Sequence, residues 1–135
     1  MEKYFLFLLA IGVFTACNNS ISDQGNSIHG NATLNLGETK YNVTTENTVS
    51  LDSVLSDSRC PIDVQCIWAG NAAARFTFLD HGHVIPFTLN TNAAFPVDTL
   101  ISGYRIRLID LKPAPHSGVV IKQSDYKADL LITKE

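Results

Sequence analysis

Cys60 and Cys66 are the first residues in this chain whose type and spacing promise chemistry. Two nearby cysteines can hold a metal, cycle as a redox pair or close a structural disulfide. Metal sites usually show closer spacing and further Cys or His ligands, and redox pairs are typically separated by two residues. Neither pattern surrounds Cys60-Pro-Ile-Asp-Val-Gln-Cys66, so a structural disulfide is expected in an oxidising compartment. His81 and His83 flank Gly82 and can share a metal, with Asp80 adjacent and Asp57 or Asp63 joining only if the fold brings them near. His116 and His29 carry no comparable signal. Hydrolase signatures are missing: there is no Gly-x-Ser-x-Gly elbow and no His-Glu-x-x-His helix. With Cys60 and Cys66 oxidised, neither can serve as a thiol nucleophile, and no catalytic residue is assigned.

The third cysteine, Cys17, has a different context. Glu2-Lys3 is followed by an apolar run from Tyr4 to Ala16 that ends Phe14-Thr15-Ala16-Cys17. A charged start, an apolar stretch and small residues at a cut site make a secretory signal. A cut directly before a cysteine resembles the bacterial lipoprotein signal, in which that cysteine is acylated and becomes the mature N-terminus. The resemblance implies a signal peptide over 1–16 and a lipid-bearing Cys17 with palmitate-type chains. The thirteen-residue apolar run is too short to cross a bilayer, which takes about 20 residues. Asn18 is not the Asp that marks inner-membrane retention in some bacteria, so the expectation is an outer-membrane protein facing the periplasm.

Composition fits one exported domain. The chain is 45% hydrophobic and 17% charged, an ordinary globular balance. Its net charge of −3 and lack of a basic run give it no electrostatic footprint for nucleic acid. Residues 17–29 are rich in Asn and Ser and poor in large apolar side chains, and read as a flexible tether. The domain is expected over 30–135.

Within that domain, short alternating runs recur. Expected strands are Ala32 to Leu36, Thr39 to Thr44, Thr48 to Leu55, Ala72 to Leu79, His83 to Asn90, Tyr104 to Leu111 and Tyr126 to Thr133. Their inward faces should carry Val49, Leu51 and Leu55; Ala74, Phe76 and Phe78; Ile85, Phe87 and Leu89; Tyr104, Ile106 and Leu108; and Tyr126, Ala128, Leu130 and Ile132. Period-two alternation between turn signals marks an antiparallel sheet with one wet face. No apolar stripe of helical period follows the signal. The expected fold is all-β: an antiparallel β-sandwich or partly open barrel of about seven strands with one disulfide. Asp80-His81-Gly82 reads as a tight hairpin connection.

The densest segment is Asp57-Ser-Arg-Cys-Pro-Ile-Asp-Val-Gln-Cys-Ile-Trp-Ala-Gly70. Asp-Ser-Arg-Cys-Pro, then Val-x-Cys, then Trp-Ala-Gly, resembles a motif of small exported bacterial lipoproteins of uncharacterised function; the resemblance implies no activity. Physically the segment reads as a stapled corner. Pro61 restricts the loop. Arg59 is placed to bridge Asp57 or Asp63. Trp68 is expected to lay its ring over the cystine and into the sandwich, and Gly70 to allow the turn into the next strand.

A recognition loop is the functional alternative, with Arg59, Ile62, Asp63, Gln65 and Trp68 as candidate binding residues. The resulting expectation is a lipid-anchored envelope protein that acts by binding, with no cofactor. Its membrane contact is the N-terminal lipid, and its partner is an envelope protein, a glycan or a small ligand. Two other readings stand beside it: metal binding through His81 and His83, and inhibition of a secreted hydrolase by the stapled loop.

Overall fold

The computed structural model describes residues 30–37, 40–44 and 46–135. The expected signal over 1–16, Cys17, the expected tether over 17–29 and His29 lie outside the described residues.

The chain forms two antiparallel four-stranded sheets. One has the order β1 (Gly30–Asn35), β8 (Lys127–Lys134), β7 (Tyr104–Lys112), β6 (Asp98–Ile101). The other runs β2 (Lys40–Asn42), β3 (Asn47–Asp57), β4 (Ala72–Asp80), β5 (His83–Asn90). The fold is therefore the expected sandwich, not closed into a barrel. Among the described residues it has eight strands, where about seven were expected. The strand missed in sequence, β6, is four residues long and pairs only with β7, too short for alternation to declare it.

Between the sheets lies one apolar core. Phe76, Phe78, Leu34, Leu51, Leu89, Ile106, Leu111, Leu130, Ile132 and Val49 are fully buried. Each such side chain stabilises the fold by about 1.5–3 kcal/mol relative to exposure. Phe76 stacks on Phe87 at 5.4 Å between ring centroids, and Phe78 meets Tyr104 at 6.2 Å. Inward faces follow the expected alternation through β4, the start of β7 and all of β8.

Leu55 departs from it. Its expected inward position is wrong: it is 55% exposed, and Val54 is buried instead. Register shifts between Leu51 and Ser53, and again between Val54 and Ser56, leave Asp52 and Leu55 without a partner across β4. Each extra residue inverts the alternation that follows it. A third shift, between Leu108 and Asp110, leaves Ile109 outward as alternation requires but puts Asp110 outward as well and Leu111 inward.

Two hairpins close one end of the sandwich. His81 and Gly82 form a two-residue connection between paired Asp80 and His83, both with positive φ (47° and 89°). That pair of angles belongs to the turn whose twist matches the flanking strands. Ser102 and Gly103 repeat the geometry between β6 and β7. Three longer connections, 58–71, 91–97 and 113–126, gather at the opposite end, where Asp57 pairs with Ala72 and Lys112 with Lys127. Gly30, where β1 begins, pairs with Ile132 and lies toward the hairpin end.

Candidate functional site

The three long connections are fastened to one another. Cys60 and Cys66 are joined by a disulfide, with Cα atoms 6.0 Å apart. Arg59 is the central pin. Its Nη2 and Nε reach the Asp57 carboxylate at 2.6 and 2.8 Å, Nη1 donates to the Leu111 carbonyl, and Nη2 donates to the Pro113 carbonyl at 2.9 Å. The expected bridge to Asp57 is thus present. Asp63 goes elsewhere, accepting from the Ser117 backbone N–H at 2.9 Å and from the Ser117 hydroxyl. Ile62 N–H also donates to the Pro115 carbonyl at 3.0 Å, so the disulfide loop is sewn to the 113–126 connection.

Burial raises the Asp57 carboxyl pKa, but hydrogen bonds from Arg59 outweigh that and hold it below the usual carboxylate range. Tyr126 donates its hydroxyl to the same carboxylate at 3.0 Å. Its own pKa is pushed up to about 12 by burial and then by Asp57. At the Ser117 contact, the hydroxyl and backbone donors keep Asp63 low as well.

Gly70 could be nothing else. Its φ is +73°, and a Cβ there would fall 1.9 Å from the Ser58 carbonyl oxygen. Beyond it, asparagines bind the 91–97 connection: Asn71 Nδ2 donates to Asn90 Oδ1 at 2.9 Å, Asn90 Nδ2 to the Pro96 carbonyl at 3.0 Å, and Asn92 Nδ2 to the Gly70 carbonyl at 2.9 Å. Gln123 secures the third connection. Among the described residues no strand pairs with β3 past Ser50 on its β2 side; Gly37 N–H donates to the Leu51 carbonyl there, and the Gln123 amide serves Val54. It accepts from Val54 N–H at 3.0 Å and donates to Val54 C=O at 2.7 Å.

On this fastened base stand exposed apolar side chains: Ile62, Val64, Ile67 and Trp68 on the first connection, Phe95 on the second, Val119 and Val120 on the third. Trp68 is 56% exposed, which overturns its expected burial over the cystine. Core volume at the mouth of the sandwich is already filled by Tyr126, Leu111 and Ala72, all buried, so the ring stays outside. Ile67, beside it, is fully exposed. An open groove of about 480 Å³ runs between the connections, lined by Ile62, Ala69, Ala93 and Pro115 together with the polar Arg59, Thr91 and Asn92.

Of the candidate binding residues, Ile62, Asp63, Gln65 and Trp68 are exposed on one loop. Arg59 is not: its side chain is 13% exposed and engaged throughout, which makes it a structural pin. Sequence reading missed Val64, Ile67, Phe95, Val119 and Val120. Val119-Val120 offered a signal, an apolar pair in a turn-rich run with no alternation to place it in a sheet.

His81 and His83 lie on the other end of the molecule, so Asp57 and Asp63 do not join them. His81 Nδ1 meets Asp80 at 2.7 Å and Nε2 meets Glu46 at 2.7 Å. The hydrogen bond to Asp80, with the Glu46 charge, raises its pKa and favours an imidazolium over a metal ligand. Among the described residues, no group of three or more His, Cys, Asp or Glu side chains is arranged to hold a metal.

The fold and this end together define a disulfide-stapled β-sandwich with an apolar loop face. No family model, curated protein or solved structure matches the chain.

Proposed function

We propose that this is a lipid-anchored protein of the bacterial cell envelope, sorted to the outer membrane and facing the periplasm, that acts by binding. In this reading it belongs with the exported lipoproteins whose Asp-Ser-Arg-Cys-Pro and Trp-Ala-Gly motif it carries, and Cys17 bears the lipid.

One observation carries the binding role. Seven large apolar side chains stand exposed on three connections at one end, and those connections are held by a disulfide, an engaged arginine and side-chain bonds to backbone. Large apolar residues that a fold exposes together mark interaction sites. Rigid presentation lowers the ordering entropy lost on binding, and Trp is a preferred energetic anchor. The loop does not present an extended, substrate-like segment to a hydrolase, because Val64 N–H turns back to the Pro61 carbonyl at 3.3 Å. That geometry favours surface docking over active-site plugging.

The anchor is tested by Cys17→Ser. The variant should move from the membrane to the soluble fraction, and the mature wild-type protein should carry acyl mass on Cys17. A Cys17→Ser protein that stays with the membrane would sink the anchor.

A further inference from the structure

We infer that His81 is a pH-operated clasp: as an imidazolium it ties the turn between β2 and β3 to the β4–β5 hairpin, and on losing a proton it lets Glu46 and that turn go. Three turns meet at this end of the sandwich. His81 Nδ1 lies 2.7 Å from Asp80 Oδ1, and its Nε2 lies 2.7 Å from Glu46 Oε2. Asp80 Oδ2 accepts from the Ser102 hydroxyl of the β6–β7 hairpin at 2.6 Å. Both ring nitrogens therefore face carboxylate oxygens, which only accept hydrogen bonds when ionised. A neutral imidazole carries one N–H, so it serves one carboxylate and turns a lone pair on the other. The arrangement is complete only with both nitrogens protonated.

The surroundings decide which contact fails. Glu46 acts on the ring from the β2–β3 turn, and Asp80 and His83 belong to its own hairpin. The β6–β7 hairpin supplies the uncharged Ser102, and Arg105 beyond it is engaged by Glu135 and Asp98. The Ser102 hydroxyl, and then His81, hold the Asp80 carboxyl below its usual range, so it stays ionised around neutral pH. Its side chain is 26% exposed against 64% for Glu46, whose carboxylate has only His81 as a partner among the described residues. Glu46 is the one released. The hydrogen bond to Asp80, with the Glu46 and Asp80 charges, raises the His81 pKa above its ordinary 6.5. The clasp is thus closed below pH 6.5 and opens as pH rises through the folded value.

What it frees is the edge of one sheet. β2 is three residues long and lies outermost beside β3. Its turn closes through Val43 and Thr44 N–H on the Asn47 carbonyl, at 2.8 and 3.1 Å, and through Glu46 and Asn47 N–H on Thr44 Oγ1. The buried Asn47 amide, with its nitrogen toward Asp80 Oδ1 and the Glu46 carbonyl at 3.2 Å, holds the base of the turn in either state. An edge element with so few bonds opens locally while the rest of the sheet stays formed.

The hairpin tolerates the change that breaks the clasp. His81 and Gly82 both have positive φ, in a turn that favours Asn-Gly, so His81→Asn removes the imidazole and keeps the turn. In the isotope-labelled full chain, NMR follows the ring nitrogens and the amide protection, corrected for intrinsic exchange, from about pH 5 to about pH 9. His81 should titrate above 6.5, with Nε2 losing its proton and Nδ1 keeping it. Protection of the Val43 and Thr44 amides should fall about two- to fivefold through the same midpoint, the scale of an exposed ion pair. In His81→Asn it should sit at the lower level throughout. Glu46→Gln, whose amide can pair with either form of the ring, should keep protection constant with pH and lower the His81 midpoint. His83→Asn should leave the fall in place. A midpoint at or below 6.5, loss of the Nδ1 proton first, a flat wild-type profile or a fall that survives His81→Asn overturns the clasp.

Discussion

The two ends of the sandwich are capped by opposite means. At the hairpin end, two-residue turns reverse the chain, and the polar contacts are exposed: His81 with Asp80 and Glu46, Ser102 with Asp80, Arg105 with Glu135. At the loop end, long connections are held by a disulfide and by polar groups that are largely withdrawn from water, with Arg59 and Asp57 side chains 13% and 11% exposed. The first end satisfies itself locally and presents charge. The second spends its polar groups internally, which leaves apolar side chains outside. In the proposed reading, stability and recognition are therefore separated within the same loops: the pins lie underneath and the exposed apolar side chains lie on top.

The sharpest break in that contrast is Gly70→Val. A side chain at φ +73° directed into the Ser58 carbonyl should destabilise at least as much as a large core truncation, about 3–5 kcal/mol, read from chemical denaturation. Next comes Arg59→Met, which strands Asp57 and two carbonyls and should lose about 2–3 kcal/mol by the same measurement. Cys60→Ser with Cys66→Ser opens a short loop and should lose about 2–2.5 kcal/mol in the chain-entropy account. Docking should fall further than that stability loss alone explains.

The pH dependence sharpens the comparison. Tyr126 titrates at about 12 in the folded protein against 10.0 for the free group, so its contribution is intact below pH 10 and is lost as pH rises toward 12. Asp57 behaves in reverse. Its lowered pKa gives a contribution present above about pH 4, lost as pH falls through the folded value. Melting temperature against pH should therefore fall at both extremes, and Tyr126→Phe should flatten the alkaline fall.

The smallest effects belong to exposed groups at either end. His81→Asn should leave the melting temperature close to that of wild type. Its raised pKa means that any contribution is present below pH 6.5 and fades as pH rises through the folded value. Trp68→Ala should be equally mild in stability while removing the docking contact, and a loss of several kcal/mol would show that the ring is structural.

Much of the fold was legible because β-structure writes itself as alternation. Phe76 and Phe78, Ile106 and Leu108, and Ala128 through Ile132 sit where their spacing placed them, and Asp80-His81-Gly82 is the tight turn that its residues suggested. The staple was legible too, since two cysteines six residues apart close a loop whatever surrounds them. Leu55 and Leu111 were not, because a bulge is a property of two paired strands, and one strand's sequence does not reveal where its partner slips.

Local pattern, then, determined the strands, the turn, the disulfide and the glycine of the corner, all of which depend on neighbours along the chain. Tertiary structure decided the rest. It sent Arg59 to the carbonyls of Leu111 and Pro113, joined Asp63 to Ser117, and left Trp68 outside a core already full. Those outcomes depend on residues more than fifty positions away and on how much space two packed sheets leave between them, and neither is encoded in spacing.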